Sequence, residues 1–106
     1  MYLLEFSMSP LGKGDSVSEY VALSLEIIDA SGLDYELHAM GTIVEGELPA
    51  LMELLSQCFE AMSEHSDRVS CVAKFDYRKG KQGRIAQKVK SVEAKLGRSL
   101  GRGGSA

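Results

Sequence analysis

The chain contains no tryptophan, two prolines and two cysteines among its 106 residues, and aromatic side chains make up only 7% of it. Two cysteines cannot form the disulfide framework of a small secreted domain, so Cys58 and Cys71 are expected to be reduced, buried thiols on apolar faces. A metal site built from Cys58, His65 and Cys71 is an alternative. No CxxC or HxxxH spacing supports it, and we predict no metal.

Long apolar runs are absent as well. No stretch approaches the ~20 apolar residues that a membrane-spanning helix requires. Residues 1–6 are apolar but include Glu5, and they lack the basic start and small-residue cleavage site of a secretory signal. We therefore expect a cytoplasmic protein. With 44% hydrophobic residues, the chain is predicted to form one domain around a single two-layer core.

Basic residues are nearly missing from the first two-thirds of the chain. Residues 1–67 contain 13 acids and one base, Lys13, for a net charge of −12, whereas residues 68–106 contain 11 bases and two acids, for +9. The basic segment raises the hypothesis of nucleic-acid binding. We favour the alternative that acidic and basic surfaces of one domain, or of neighbouring subunits, face each other.

Apolar periodicity divides the chain into seven elements. Alternation predicts strands over residues 2–9, 35–40, 42–45 and 69–78. Helical spacing predicts one helix behind a Ser16–Glu19 capping box, one with Pro49 in its first turn, and one after Gly83. The order is βαββαβ with an additional C-terminal helix, which predicts an α+β, ferredoxin-like domain with a four-stranded antiparallel sheet.

The predicted domain spans residues 1–97, and the patternless residues 98–106 are expected to form a flexible tail. Both crossover helices would cover one face of the sheet. The other face would display mostly polar side chains, namely Glu5, Ser7, Ser9, Glu36, His38, Val72, Lys74, Asp76 and Arg78. Such a face suits a subunit interface, a ligand floor, or both. Whether Thr42 or Glu45 joins it depends on the turn at Gly41, which the pattern leaves open.

The segment from Met40 to Gly46 places a hydroxyl, Thr42, and a carboxylate, Glu45, three residues apart on a short strand. Such a pair can satisfy the donors and acceptors of a small polar ring, but it has no obvious reaction to perform. No nucleophile–base pair or metal constellation accompanies it, so recognition is favoured over catalysis. A small enzyme using Asp76, Glu45 or His38 is retained as an alternative.

Several short segments, taken in order, carry a family resemblance. They are Ser9-Pro10-Leu11-Gly12, residues 16–21, Met40-Gly41-Thr42 with Glu45-Gly46, Arg68-Val69 with Asp76 and Arg78, and Lys88-Val89 with Ser91-Val92-Glu93. Over residues 1–97 the chain resembles the YkoF-like thiamine- and hydroxymethylpyrimidine-binding proteins. The resemblance implies a ferredoxin-like fold, a homodimer or homotetramer built through the sheets, and ligand binding without catalysis and without a cofactor. A carrier, buffer or salvage accessory would fit.

The resemblance also implies which side chains bind the ligand. By position, Thr42 and Glu45 would contact the amine and ring nitrogen of an aminopyrimidine. Ser7 and Ser9 would lie within cross-strand reach, and Ser18 could add a hydroxyl. The acidic first part of the chain would suit the thiazolium cation of thiamine.

Structural roles are the alternatives for these residues. Glu45 could instead stabilise the N-terminus of the second helix, where a carboxylate is favoured. Lys74, Asp76 and Arg78 are interpreted first as ion pairs at a subunit boundary and second as ligand contacts. RNA binding is disfavoured because the non-apolar sides of the central strands carry no aromatic ring on which a base could stack.

Overall fold

The computed structural model describes residues 1–12, 14, 18–80 and 82–100. The elements are β1 (Tyr2–Pro10), α1 (Ser18–Ala30), β2 (Asp34–His38), β3 (Gly41–Gly46), α2 (Leu48–Ser63), β4 (Val69–Tyr77) and α3 (Arg84–Leu96). The predicted βαββαβ order with a C-terminal helix is confirmed. Within the described residues no helix is long and apolar enough to cross a membrane.

The four strands form one antiparallel sheet in the order β2-β3-β1-β4. The two central strands are therefore β1 and β3. The first strand pairs with β4 along its whole length, from Tyr2 opposite Tyr77 to Pro10 opposite Val69. Its pairing with β3 is shorter and ends at Phe6 opposite Thr42. This difference in length leaves one edge of β1 without a neighbouring strand after Phe6 among the described residues.

The core lies between one face of the sheet and helices α1 and α2. Alternate residues of β1 point into it, and the buried side of α2 meets them. The fully buried side chains are Leu4, Ile28, Val44, Leu51, Cys58 and Met62. Burying a Leu, Ile or Val side chain stabilises the fold by about 1.5–3 kcal/mol relative to exposure, so this layer holds both crossover helices on the sheet.

The register determines which residues share each face. Directly opposed residues of antiparallel strands carry their side chains on the same face. Because Phe6 opposes Thr42 and Leu4 opposes Val44, Thr42 faces the helices. Glu45, opposite Leu3, therefore lies on the other face. The sequence pattern did not decide whether Thr42 or Glu45 joins the face away from α1 and α2; the register shows that it is Glu45.

Helix α3 packs on that second face, over β3 and β2, and the face is consequently only partly open. Ile85 and Val89 of the helix and Leu3 and Ile43 of the sheet line a cavity of about 680 Å³ between the two. The position of this helix on the sheet was not predicted from the sequence. It brings the basic end of the chain over the acidic sheet, in agreement with the preference for facing charges within one domain.

The ends of the helices are only partly described. The predicted capping box at Ser16 lies outside the described residues. At the other end α3 stops at Gly97, whose φ of 72° suits glycine. The backbone N–H of Leu100 then donates to Glu93 Oε2 at 2.6 Å, so the chain turns back on α3 here. The rest of the predicted tail, residues 101–106, lies outside the described residues.

Strands β2 and β3 are joined by a tight hairpin in which His38 opposes Gly41. Gly41 has φ of 153°, and a Cβ there would lie 2.6 Å from the carbonyl oxygen of Phe6. Only glycine lets β3 start this close to β1. The backbone of the central strand pair therefore depends on the missing side chain at position 41.

Replacing Gly41 by alanine is expected to lower the free energy of unfolding by about 2 kcal/mol or more, because Cβ would collide with backbone that cannot move aside. Gly32→Ala is the control. Gly32 also has positive φ, 74°, but no atom lies within 4 Å of its added Cβ. That control should cost about 1 kcal/mol. Urea unfolding measures both, and equal losses would contradict the proposed close approach.

The two cysteines are free thiols on the helix-facing side of the sheet layer. Cys58 is fully buried in the core, and Cys71 is half-buried on β4. Burial raises the pKa of both thiols, because the thiolate would lose hydration. The nearby Ser24 hydroxyl partly offsets this increase in the pKa of Cys58.

Disulfide exchange with an aromatic disulfide reagent at pH 8 should therefore modify Cys71 about tenfold or more faster than Cys58, because only Cys71 is partly accessible. Both should react more slowly than a free cysteine, since a raised pKa leaves less thiolate. Cys71→Ser should remove the faster phase. If the faster phase persists in that variant, the assigned burial of Cys58 is wrong.

Candidate functional site

A cavity of about 250 Å³ lies where β1 extends beyond the end of its pairing with β3. It lies between the end of β1, the middle of α1 and the β2–β3 turn. Its lining residues are Phe6, Ser7, Met8, Ser9, Val21, Ser24, Leu37, His38, Ala39, Met40, Gly41 and Thr42. The set combines residues from both faces of the sheet, so the cavity wraps around the strand end.

Two hydroxyls line the helix side of this cavity. Ser24 is 7% exposed and Thr42 is 6% exposed. Ser24 Oγ is shielded from water and has no hydrogen-bond partner within the described part of the chain. The hydroxyl is close enough to the Cys58 thiol to lower the pKa of that thiol, but sulfur is a weak acceptor. A buried hydroxyl without a partner costs about 1–3 kcal/mol, which a ligand atom could recover.

Ser24 is the site residue that the sequence analysis missed. It lies four residues after Tyr20 and four before Ile28, on the side of α1 that faces the core. A serine within the apolar stripe of a helix itself indicates a candidate site residue, because its hydroxyl is buried together with the neighbouring apolar side chains. Strand alternation alone does not reveal such a residue, because it concerns only the polar side chains of strands.

His38 forms the wall on the opposite side. Its Nδ1 accepts the backbone N–H of Met40 at 3.2 Å, so the neutral ring carries its proton on Nε2. Nε2 lies 3.4 Å from Glu5 Oε2, but the two atoms are not aligned as a hydrogen bond. The ring therefore braces the hairpin through one nitrogen and presents a donor toward a carboxylate with the other.

Three of the five predicted ligand residues, Ser7, Ser9 and Thr42, line this one cavity. Ser18 does not: it is exposed at the start of α1. Their roles in binding stay predictions. Ser7 and Ser9 lie on the face opposite Thr42, so they meet it only at the strand end, where the cavity passes from one face to the other.

Glu45 is also outside the cavity, and its surroundings are different. The side chain is on the opposite face from Thr42, so the two cannot contact one ring together as the motif suggested. Glu45 is 4% exposed, and its Oε1 accepts the backbone N–H of Arg84 at 3.1 Å. Arg84 is the first residue of α3, so the carboxylate stabilises the N-terminus of that helix. The other oxygen, Oε2, has no hydrogen-bond partner among the described residues, so Glu45 makes no hydrogen bond to α2 there.

Asp76 has a partner within the same chain. Its carboxylate pairs with the guanidinium of Arg84, which also donates to the Asp76 carbonyl oxygen at 3.3 Å. This contact and the bond to Glu45 fix the start of α3 on the sheet. The hypothesis that Lys74 and Arg78 form ion pairs with another subunit stays a prediction.

The metal alternative gains no support. Among the residues that the structure describes, no group of three or more His, Cys, Asp or Glu side chains could hold a metal ion. His65 instead contacts the ring of Tyr20 edge-on, with centroids 5.7 Å apart.

The role of Glu45 predicts the behaviour of two variants. Glu45→Ala should loosen α3 and lower the free energy of unfolding by about 1–2 kcal/mol, because the helix loses its acceptor and a favourable charge. Glu45→Gln keeps an acceptor oxygen and should lose less. Glu47→Ala is the control, since Glu47 is exposed and makes no side-chain cap bond to α2. Hydrogen exchange locates the change: faster exchange spread over the sheet rather than confined to α3 would contradict this assignment.

Comparison with known proteins identifies relatives that match nearly the whole chain. A UPF0045 protein of Methanocaldococcus jannaschii is 38% identical over 88 residues, covering 83% of this chain and 88% of that protein. Its crystal structure has a TM-score of 0.79 at 36% identity, covering 86% of this chain and 94% of that chain.

A second solved structure has the same fold at lower identity. It is a Thermotoga maritima protein whose proposed role is thiamine biosynthesis or salvage. The TM-score is 0.75 at 22% identity, and the match covers 86% of this chain and 97% of that one. A family model described as thiamine-binding protein matches residues 4–93, which include the cavity and the start of α3. The chain belongs to this thiamine-binding protein family.

Proposed function

We propose that the protein binds thiamine or its hydroxymethylpyrimidine moiety in the cavity at the strand end and leaves the ligand chemically unchanged. The observation that carries the proposal is the buried hydroxyl of Ser24, which has no hydrogen-bond partner in the described part of the chain and lines a cavity that Thr42 also lines. Membership of the thiamine-binding family supports the class of ligand. The Thermotoga maritima protein supports the fold alone.

The cavity suits an aminopyrimidine chemically. The ring offers nitrogen acceptors and an exocyclic amine donor along one edge. A hydroxyl can both donate and accept, so Ser24 and Thr42 can each match either kind of atom. The ring faces are apolar and would contact the side chains of Phe6, Met8 and Val21. Small-molecule sites commonly combine apolar walls with a few placed polar groups in this way.

The free edge of β1 adds backbone groups to the same wall. After Phe6 this edge has no strand partner among the described residues, and Met8 lines the cavity. Backbone N–H and C=O groups are strong hydrogen-bonding groups that need a partner when buried. A flat heteroaromatic edge placed here would provide one.

Binding without catalysis is favoured by the surroundings of His38. A serine becomes a nucleophile when an adjacent base accepts its proton. Nδ1 of His38 is already occupied by the Met40 N–H, and Nε2 faces Glu5 rather than a serine. A carrier, buffer or salvage accessory remains the best match to such a site.

We further propose that the protein assembles as a homodimer or homotetramer through its sheet. Helix α3 covers the part of the open face over β2 and β3, so the exposed part is near β4. Val72 there is 72% exposed, and Tyr77 on the other face of the same edge strand is also exposed. A long edge strand with apolar side chains is a site of association between chains. Sedimentation equilibrium tests this proposal, and a monomer at all concentrations would overturn it.

Calorimetric titration with thiamine and with hydroxymethylpyrimidine tests the ligand proposal. We expect saturable binding of both, weakened about 5- to 100-fold by Ser24→Ala or Thr42→Val, because each removes one hydroxyl partner in a buried site. Ser18→Ala is the matched control, since it removes an exposed hydroxyl outside the cavity. Glu45→Gln should also retain affinity.

A stability measurement separates binding from folding effects. Ser24 Oγ has no hydrogen-bond partner among the described residues, so Ser24→Ala should leave the free energy of unfolding, measured without ligand, unchanged or slightly higher. Loss of affinity together with preserved stability would locate the ligand at Ser24. Unchanged affinity in both hydroxyl variants would place the ligand elsewhere, and absence of binding to either compound would overturn the proposed function.

A further inference from the structure

A second cavity, of about 320 Å³, lies at the far end of β3 from the strand-end cavity at Ser24. The last two residues of β3, Glu45 and Gly46, line it together with the start of α2 at Ala50 and the start of α3 at Gly83. The two cavities have no described lining residue in common. We call the second one the Glu45 cavity, and it is separate from the proposed ligand site.

One carboxylate oxygen of Glu45 lacks a donor at this cavity. Its Oε1 accepts the backbone N–H of Arg84 at 3.1 Å, so the carboxylate lies against the segment that forms the α3 wall of the cavity. Its Oε2 is shielded from water and has no hydrogen-bond partner among the described residues, and the residue as a whole is only 4% exposed. A buried carboxylate oxygen without a donor is destabilising. Because a carboxylate only accepts hydrogen bonds, the group that would satisfy it must carry an N–H or O–H.

The charges around the cavity favour a donor that is positively charged. Asp34 opposes Glu45 across the β2–β3 pair and therefore lies on the same face of the sheet. Glu47 is the N-cap residue of α2, and its side chain makes no capping hydrogen bond. The positive contributions are the amino group of Met1 and the N-termini of α2 and α3, about half an elementary charge each. The three carboxylates exceed these, so the described lining keeps a net negative charge.

The three carboxylates do not converge on one point. Among the residues that the structure describes, no group of three acidic, histidine or cysteine side chains could hold a metal ion. An organic cation differs from a metal ion because its charge is carried on N–H donors and needs only one well-placed acceptor. Its alkyl part would contact Leu33 and Ala50, which also line the cavity.

We propose that the Glu45 cavity is a second binding site, which takes a small primary ammonium ion. One N–H of the ion donates to Glu45 Oε2, and the exposed carboxylates of Asp34 and Glu47 attract its charge from the rim. Glu45 then has two tasks, since its other oxygen already holds the first residue of α3. An ion bound here would therefore also stabilise the docking of α3 on the sheet.

Titration of the ¹⁵N-labelled protein with butylammonium at pH 7 and low salt tests this proposal. The amide signals of Gly83 and Arg84 should shift saturably, because the Arg84 N–H bonds to the same carboxylate. Glu45→Gln should weaken binding about 10- to 100-fold, since it keeps an oxygen for the Arg84 N–H but turns an amide NH2 toward the ammonium. Asp34→Asn should weaken it only about two- to fivefold, because that carboxylate is exposed. Glu60→Gln is the matched control: it removes the same charge near the other end of α2 and should leave the affinity unchanged.

A methylated probe separates hydrogen bonding from general attraction between charges. Butyltrimethylammonium has the same charge but no N–H, so it should bind at least about tenfold more weakly than butylammonium. Equal affinities for the two cations would overturn the proposal, and so would unchanged butylammonium binding in the Glu45→Gln variant.

The two sites can be tested independently. Ser24→Ala should leave butylammonium binding unchanged, and thiamine should not compete with butylammonium. Competition between them would show a shared site and overturn the second site, while thiamine binding itself would still support the proposed function. Saturable butylammonium binding that depends on Glu45, in a protein that binds neither thiamine nor hydroxymethylpyrimidine, would overturn the proposed function and support the second site.

Discussion

The register between β1 and β3 is the constraint on which the candidate site depends. Their pairing stops at Phe6 and Thr42, while β1 continues along β4 to Pro10. The unequal lengths leave a space at the strand end that neither face of the sheet fills. The β2–β3 turn and α1 close around it. Thus a difference in strand length, rather than any single motif, produces a cavity with backbone, hydroxyl and apolar groups on its walls.

Gly41 connects this register to the surroundings of the cavity. Its backbone approaches the carbonyl of Phe6 more closely than any residue with a Cβ allows. The hairpin before it is then held by the bond from Met40 to the His38 ring. Position 41 consequently determines both where β3 begins and how His38 is presented, which explains how a glycine without a side chain shapes the site.

The sequence was sufficient for the fold because the apolar periods of β1, β2 and β4 and of the helices gave the order of the elements. It was insufficient for Thr42 and Glu45 because their assignment to a face depends on the phase of one short strand after a turn. That phase is set by backbone pairing with Phe6 and Leu4, across more than 35 residues of sequence. Ser24 was not predicted for a related reason. It lies on a helix, and its burial depends on which face of that helix packs on the sheet. The contact from Glu45 to Arg84 joins residues far apart in the chain, and no local pattern indicates it.

The pairing of β1 with β4 has a consequence for how the chain is made. Strand β1 is central in the sheet, yet one of its two neighbours is β4, which follows α2 in the chain and ends at Tyr77. Contacts between such distant segments slow folding, because a long loop must close before they form. During synthesis the acidic part of the molecule leaves the ribosome before the basic part, with the β4 side of β1 uncovered. The sheet is completed only when β4 has emerged, so the nascent protein passes through a stage in which β1 is open to chaperones and to other chains.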